Sequence, residues 1–164
     1  MSSDACVIVA AQEQGVPADL MLAVRSVERG TPGQFTRNTD GSLDFNEPGL
    51  NSRTVQQLAQ QGWDVPKLLH DGCYAMQASA YWMRLKLLDV RGRPIPLLSR
   101  AARYNSATAY HNVNYQQVLL PRLRDWSCHL YHFWKVPAAS LFAVASEVIS
   151  ENELPTCKPQ MRLR

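Results

Sequence analysis

The chain has 164 residues, of which 46% are hydrophobic and 19% are charged, and its formal net charge is +3. These values are typical of one globular domain that builds a core without needing a metal or a dense disulfide network. No apolar run approaches the length that a membrane span requires, and the first residues lack the pattern of a signal peptide. We therefore expect either a cytoplasmic protein or a secreted chain without its leader.

The first part of the chain predicts two helices. The segment 6–14 is apolar on one side and stops at Gly15. Pro17 occupies a first-turn position, and apolar side chains then follow at i, i+4 and i+7: Leu20, Val24 and Val27. This second helix is expected to end near Glu28, because Gly30 comes two residues later.

The composition of the chain changes at residues 30–51, which are dense in turn-forming residues. Only residues 43–45 resemble a strand. A long stretch without regular structure is unusual in a compact domain and is often functional. We expect a loop or a small β-hairpin that flanks a cleft.

A helix capped by Asn51 or Ser52 is predicted next, followed by a longer one over 71–89. The longer segment is the clearest amphipathic pattern in the chain and is the predicted central helix. Its apolar face comprises Cys73, Met76, Ala80, Met83 and Leu87.

The C-terminal half predicts three more helices, over 97–104, 114–136 and 137–151. Pro121 lies inside the second of these and should kink or split it. The aromatic residues Trp126, Tyr131, Phe133 and Trp134 are interpreted as packing between these helices, with a partner-binding surface as the alternative.

Basic residues cluster in the middle of the chain. Arg84, Lys86, Arg91, Arg93, Arg100 and Arg103 share their stretch with a single acid, Asp89. Such a cluster is either a solvated helix face or a patch for an anionic polymer, whether nucleic acid or cell-wall glycan with acidic stem peptides. No helix-turn-helix pattern or basic–aromatic interleaving supports nucleic-acid binding, so no nucleic-acid partner is expected.

The four cysteines are Cys6, Cys73, Cys128 and Cys157, and none of them forms a CxxC pair. Their even number and wide spacing are compatible with two disulfides in an oxidising compartment or with four buried thiols. The run Cys128-His129-x-x-His132 has metal-ligand residue types, but no second cluster completes a tetrahedron, and no metal is expected.

Glu28 is the strongest catalytic candidate on chemical grounds. It lies at the edge of an apolar stripe, where burial of the carboxyl would raise its pKa and make it a proton donor near neutral pH. The alternative is a solvent-exposed glutamate at a helix end, paired with Arg25 or Arg29.

Several segments carry, in order, a resemblance to one family. They are AVRSVERG at 23–30, NTDGSLDF at 38–45, LNS at 50–52, DGC at 71–73, AARYNS at 101–106 and NY at 114–115. They resemble the specialised lytic transglycosylases of conjugation, secretion and pilus machines, which belong to the soluble lytic transglycosylase family. The family pattern is a helix ending in Val-Glu, a turn-rich loop with Asn-x-Asn/Asp-Gly-Ser-x-Asp and a Gly-x-Met-Gln-Ile-Asn-Ser run.

The resemblance implies an all-α, lysozyme-like domain over 4–124 with a small loop or β-hairpin region, and a C-terminal helical extension over 125–164. It implies a periplasmic or secreted enzyme that cleaves peptidoglycan glycan strands without a cofactor, for an envelope-spanning apparatus whose proteins would be its partners. Glu28 would be the catalytic acid and base. The substrate-binding residues would be Tyr104, which lies beside Glu28 and orients it or the sugar, together with Asn105, Asn51 and Asp44.

The resemblance also implies a disulfide pairing, Cys6 with Cys73, which leaves Cys128 with Cys157. The sequence departs from the family at Arg29, where the family usually has Ser, and at 46–49, where Asn-Glu-Pro-Gly replaces Gly-x-Met-Gln. Ala75 and Ser79 replace Asn and Gly of the buried helix. These changes leave a second hypothesis open, a catalytically weak or inactive component that binds glycan or a partner protein.

Overall fold

The computed structural model describes residues 3–164 except Arg91 and Arg93, so these two members of the basic cluster lie outside the described residues. The described chain is mainly α-helical with one small antiparallel sheet. The helices are α1 (Asp4–Gln14), α2 (Ala18–Glu28), α3 (Ser52–Gln60), α4 (Val65–His70), α5 (Gly72–Leu88), α6 (Leu97–Ala102), α7 (Ala109–Phe133) and α8 (Phe142–Ala145). The strands are β1 (Phe35–Arg37), β2 (Leu43–Phe45) and β3 (Leu50–Asn51).

Helix α2 lies in the core, packed against α1, α7 and α8. Its residues 20–24 are all apolar and fully buried. Burial of each large side chain contributes roughly 1.5 to 3 kcal/mol to the stability of the fold. Because Arg29 takes the left-handed conformation and its amide N–H bonds to the carbonyl of Arg25, the helix ends at Glu28, as the sequence predicts.

The turn-rich region folds as a three-stranded antiparallel sheet with the order β1-β2-β3. In this register Asp44 pairs with Thr36 on one side and with Asn51 on the other. The sheet is one strand larger than the expected hairpin, and Asn51 both ends it and caps α3 by accepting the N–H of Arg53. Asp44 and Asn51 are thereby fixed next to each other.

Helix α7 runs unbroken through Pro121, so the proline does not split it. The helix also begins earlier than predicted, at Ala109. Its buried side chains, from Tyr115 to Leu130, pack largely against α2. This packing outweighs the loss of one backbone hydrogen bond at the proline. The predicted boundary between 124 and 125 falls inside this helix.

The helix predicted over 137–151 is wrong. The structure has a 3₁₀ turn at Ala138–Ser140, the four-residue α8 and a second 3₁₀ segment at Glu151–Thr156. Two features interrupt the helix: the buried carboxylate of Asp19 accepts the N–H groups of Phe142 and Ala143, and Glu147 takes a positive φ of 62°.

Two disulfides cross-link the fold. Cys6–Cys73 joins α1 to α5, and Cys128–Cys157 joins α7 to the C-terminal segment. This is the pairing that the family resemblance implied. His132 lies near the second disulfide, but its ring nitrogen is hydrogen bonded to the carbonyl of Leu154.

The aromatic residues of α7 divide between core and surface. Trp126 is buried, as predicted, whereas Phe133 is largely exposed and Trp134 is about half exposed. In the part of the chain that the structure describes, no helix has the length and apolar character needed to cross a bilayer.

Candidate functional site

A cavity of about 660 Å³ lies beside the sheet, and all five sequence-predicted site residues line it: Glu28, Asp44, Asn51, Tyr104 and Asn105. They come from α2, β2, β3 and the loop after α6, so distant parts of the sequence converge here. Glu47, an acid two residues after the end of β2, is buried and lines a different cavity.

Glu28 has the electrostatics of a proton donor. Its pKa is raised from the ordinary value of 4.5 to about 7, chiefly because burial disfavours the carboxylate. The hydroxyl of Tyr115 donates a 2.9 Å hydrogen bond to Oε1 of Glu28 and lowers the pKa, whereas the negative charge of Asp44 raises it. A substantial fraction of the Glu28 carboxyl is therefore protonated at neutral pH.

Two glycines allow the turn 46–49 to lie against the end of α2. Gly49 has a φ of 60°, and a Cβ on it would come 2.7 Å from Oε2 of Glu28. Gly30 donates its N–H to the carbonyl of Glu47, and a Cβ on Gly30 would come 1.7 Å from the carbonyl oxygen of Asn46. Both positions exclude any side chain, so the backbone of the turn forms part of the wall around Glu28.

Asn46 anchors the same turn to α4. It takes a positive φ of 59°, and its buried side-chain amide donates to the carbonyls of Leu68 and Leu69. Its Oδ1 accepts the N–H of Glu47 at 2.8 Å. This is the segment where the chain departs from the family's Gly-x-Met-Gln, and here an asparagine holds the backbone in place.

Asp44 and Asn51 form a hydrogen-bonded pair on another wall of the cavity. The amide of Asn51 donates to Oδ1 of Asp44 at 2.9 Å and to the hydroxyl of Ser42 at 3.1 Å. Because Asn51 also caps α3, its side chain is fully used in positioning the wall.

Tyr104 is buried next to Glu28 but does not hydrogen bond to it. Its hydroxyl donates to the carbonyl of Pro48 at 2.8 Å and lies 2.7 Å from the hydroxyl of Ser79. Burial, followed by the negative charge of Glu28, raises the pKa of Tyr104 well above its usual range. Tyr104 thus supports the 46–49 turn beside Glu28, and a role for it in orienting the carboxyl or a sugar stays a prediction.

Tyr115, which does bond to Glu28, was missed as a site residue by sequence reasoning. The signal was present in the Asn114-Tyr115 motif, but a motif does not say which of two tyrosines reaches the carboxyl. The side chain comes from the first third of α7 and is buried, with a pKa raised by burial and by the charge of Glu28. It joins α7 to the last residue of α2.

The remaining lining of the cavity is polar. Trp82 contributes an aromatic face. Amide, hydroxyl and charged groups come from Asn38, Asp40, Ser42, Arg53, Thr54, Asn105, Ser106, Thr108 and His111. Such a mixture suits a ligand rich in hydroxyl and amide groups. Among the described residues, the cluster with metal-ligand types is Cys128, His132 and Cys157, and its two sulfurs are joined in a disulfide.

Comparison with protein-family models, with curated proteins and with solved structures found no match to this chain.

Proposed function

We propose that the protein is a lytic transglycosylase of lysozyme-like fold, which cleaves the β-1,4 bond between N-acetylmuramic acid and N-acetylglucosamine in peptidoglycan. The observation that carries the proposal is Glu28, a carboxyl with a pKa of about 7 in a polar cavity next to Tyr104, Asn105 and Asp44. A single acid with this pKa meets the main requirement of the reaction, protonation of a leaving oxygen.

The proposed reaction proceeds in two proton transfers. Protonated Glu28 gives its proton to the glycosidic oxygen, and the bond from this oxygen to C1 of N-acetylmuramic acid breaks. The N-acetyl group of the sugar stabilises the positive charge that develops at C1. Glu28, now a carboxylate, takes the proton of the C6 hydroxyl while O6 bonds to C1, so that the products are a 1,6-anhydromuramyl end and a free 4-hydroxyl. No water is consumed, and one carboxyl suffices where most glycosidases need two.

The setting of the site supports an extracytoplasmic role. Two disulfides are typical of proteins that fold in an oxidising compartment. The wall-opening enzymes that the sequence resembles act in the periplasm for secretion, conjugation or pilus machines. We propose the same compartment and an equivalent task for this protein.

A second candidate function is a catalytically silent component that binds glycan strands. It is favoured by the turn 46–49, where Gly49 lies against Glu28 and no glutamine side chain reaches the cavity. In that case the polar lining would still hold the sugar, without bond cleavage.

Purified sacculi separate the two candidates. They are incubated with the wild-type protein, with Glu28→Gln and with Glu151→Gln, an exposed glutamate of the C-terminal segment that serves as a charge-matched control. We expect the wild type and Glu151→Gln to release anhydromuropeptides, detected by mass spectrometry, and Glu28→Gln to lose at least 100-fold in rate, since a positioned acid contributes on the order of 10² to 10⁴.

The same incubation in ¹⁸O-labelled water distinguishes lyase from hydrolase. A transglycosylase product carries no label, whereas a hydrolase labels the reducing end. Sedimentation of the wild type with sacculi, without release of any fragment, would instead establish the silent component.

A further inference from the structure

A second cavity, of about 380 Å³, lies between the end of α2, the middle of α7 and the C-terminal segment. It shares no lining residue with the Glu28 cavity. Five arginines line it: Arg25, Arg29, Arg122, Arg162 and Arg164. The rest of the lining is Ser26, Gly30, Met161 and a single acid, Glu47. Arg29 is the residue that replaces the usual serine of the family pattern, and the proposed reaction makes no use of it.

The arginine side chains that line this cavity outnumber the acidic side chains that could balance them. Arg25 has a partner, because its guanidinium forms a 2.6 Å ion pair with Asp4 and stacks over Trp126. Among the residues that the structure describes, no ion pair involves the other four arginines. Burial and the positive charge of Arg29 lower the pKa of Arg122. Arg29 and Arg122 are therefore close enough for their positive charges to repel each other, and an anion bound between them would relieve this repulsion.

The C-terminal segment is held in place over this cavity at three points. The Cys128–Cys157 disulfide fixes its beginning. The buried carboxylate of Asp125 accepts the N–H groups of Gln160 and Met161 at 3.0 and 2.8 Å. Ser26 donates its hydroxyl to the main-chain oxygen of Arg164 at 2.5 Å. The arginines of the segment are therefore presented to the cavity by an ordered backbone, which reduces the entropy lost when a ligand binds.

We propose that this cavity binds a small polyanion that carries at least two phosphate or carboxylate groups. Guanidinium groups are permanently charged and present paired N–H donors that match the oxygens of both groups. The volume lies at the lower end of the range for small-molecule sites, roughly 300 to 1,000 Å³, and exceeds what a single monovalent anion fills. The site is independent of Glu28 and of the reaction proposed for it.

Isothermal titration calorimetry on the full chain at low ionic strength tests the proposal with two probes, pyrophosphate and tricarballylate. We expect at least one of these two anions to bind with one molecule per protein chain. Acetate, a monovalent anion, serves as the comparison for the effect of charge. Binding of pyrophosphate alone identifies a phosphate-bearing ligand, binding of tricarballylate alone a carboxylate-bearing one, and equal binding the shared chemistry. Failure of both to bind overturns the proposal.

Variants distinguish a built site from diffuse positive charge. Arg122→Gln and Arg162→Gln should each weaken binding roughly 10- to 100-fold, the loss expected for a charge-assisted hydrogen bond. Arg124→Gln removes the same charge from the same helix, but Arg124 is exposed and pairs with Glu153, so its affinity should stay near wild type. Equal affinities in all three variants would show general surface attraction and refute the site. If Arg122→Gln fails to fold, Arg162→Gln on the C-terminal segment still provides the test.

Discussion

Protonation of Glu28 decides the pH range in which the proposed acid can act. Because its pKa is about 7, the protonated form dominates below that pH and is lost above it. We expect kcat/KM on sacculi to be highest below pH 7 and to fall about tenfold per pH unit at higher pH. An activity that rises through pH 7 to 9 would exclude Glu28 as the proton donor.

Tyr115→Phe provides a sharper version of this test. The variant removes the hydrogen bond that stabilises the carboxylate and lowers the pKa of Glu28. The falling limb of the pH profile should therefore move to higher pH, while a variant with only reduced stability would keep the limb in place. Tyr131→Phe, at a tyrosine further along the same helix, is the matched control.

Gly49 is predicted to be as sensitive as Glu28. In Gly49→Ala the new Cβ would lie 2.7 Å from Oε2 of Glu28, so the carboxyl must move. The positive φ of 60° adds strain of about 1 kcal/mol. We expect loss of most of the activity together with a small loss of stability, measured on sacculi and by thermal unfolding.

Gly15→Ala isolates the strain from the contact. Gly15 has a similar φ of 68°, but nothing lies within 4 Å of a Cβ built on it. The Gly15→Ala variant should therefore lose about as much stability as Gly49→Ala but keep the wild-type activity. Equal activity in the two variants would show that the Gly49 contact does not constrain Glu28.

Single residues differ in how well the sequence predicts them. Glu28 was identifiable because an apolar stripe, a following glycine and an ordered set of motifs all point to the same position. The hydrogen-bond partner of the Glu28 carboxyl was not identifiable from the sequence. Tyr104 and Tyr115 are both buried near it, and only the packing of α7 on α2 selects between them. The arginine cavity was also missed, since its members are far apart in sequence.

At the scale of elements, the sequence predicts a helix or strand best where the residues that decide its ends lie within it or next to it. The end of α2 and the Asn51 cap of α3 follow from residues a few positions apart. The face predicted for α5 is wrong in part, because Cys73 is exposed and the buried side chains extend beyond that face to Ala75, Ala78, Ser79 and Trp82. The region 137–151 failed because its helical pattern competes with Asp19, a residue more than 100 positions away that binds the backbone N–H groups of Phe142 and Ala143. Long-range hydrogen bonds of this kind leave no periodic trace in a sequence.

The C-terminal segment is expected to depend on its disulfide. The Cys128–Cys157 bond closes a loop with a sequence separation of 29, so Cys128→Ala/Cys157→Ala should lose roughly 3 to 4 kcal/mol of unfolding free energy. The segment should also become accessible to trypsin at Arg162, since Pro159 blocks cleavage after Lys158. Chemical denaturation and limited proteolysis followed by mass spectrometry measure the two effects.

The other disulfide gives the comparison. Cys6→Ala/Cys73→Ala opens a longer loop, with a separation of 67, and should cost at least as much stability. Because this bond joins α1 to α5, the C-terminal segment should stay protected in folded protein. Equal cleavage at Arg162 in both double variants would show that the segment is not held locally.

At the scale of the whole molecule, α2 separates two electrostatically different cavities. Glu28 faces the polar cavity at the sheet, and the next residue, Arg29, faces the arginine cavity. The left-handed conformation of Arg29 turns the chain between them. The carboxyl that the proposed reaction needs in its protonated form and a cluster of cations that would favour its ionisation thus lie in separate cavities of one small protein.

The hydroxyl of Ser26 also connects the C-terminal segment to an indole ring. It accepts a 2.7 Å hydrogen bond from Nε1 of Trp126 and donates to the main-chain oxygen of Arg164. Trp126 is buried, and the emission of a buried indole responds to its hydrogen bonding and to water. Once the other three tryptophans, Trp63, Trp82 and Trp134, are replaced by phenylalanine, the fluorescence of Trp126 therefore reports whether this segment is docked, without an added label.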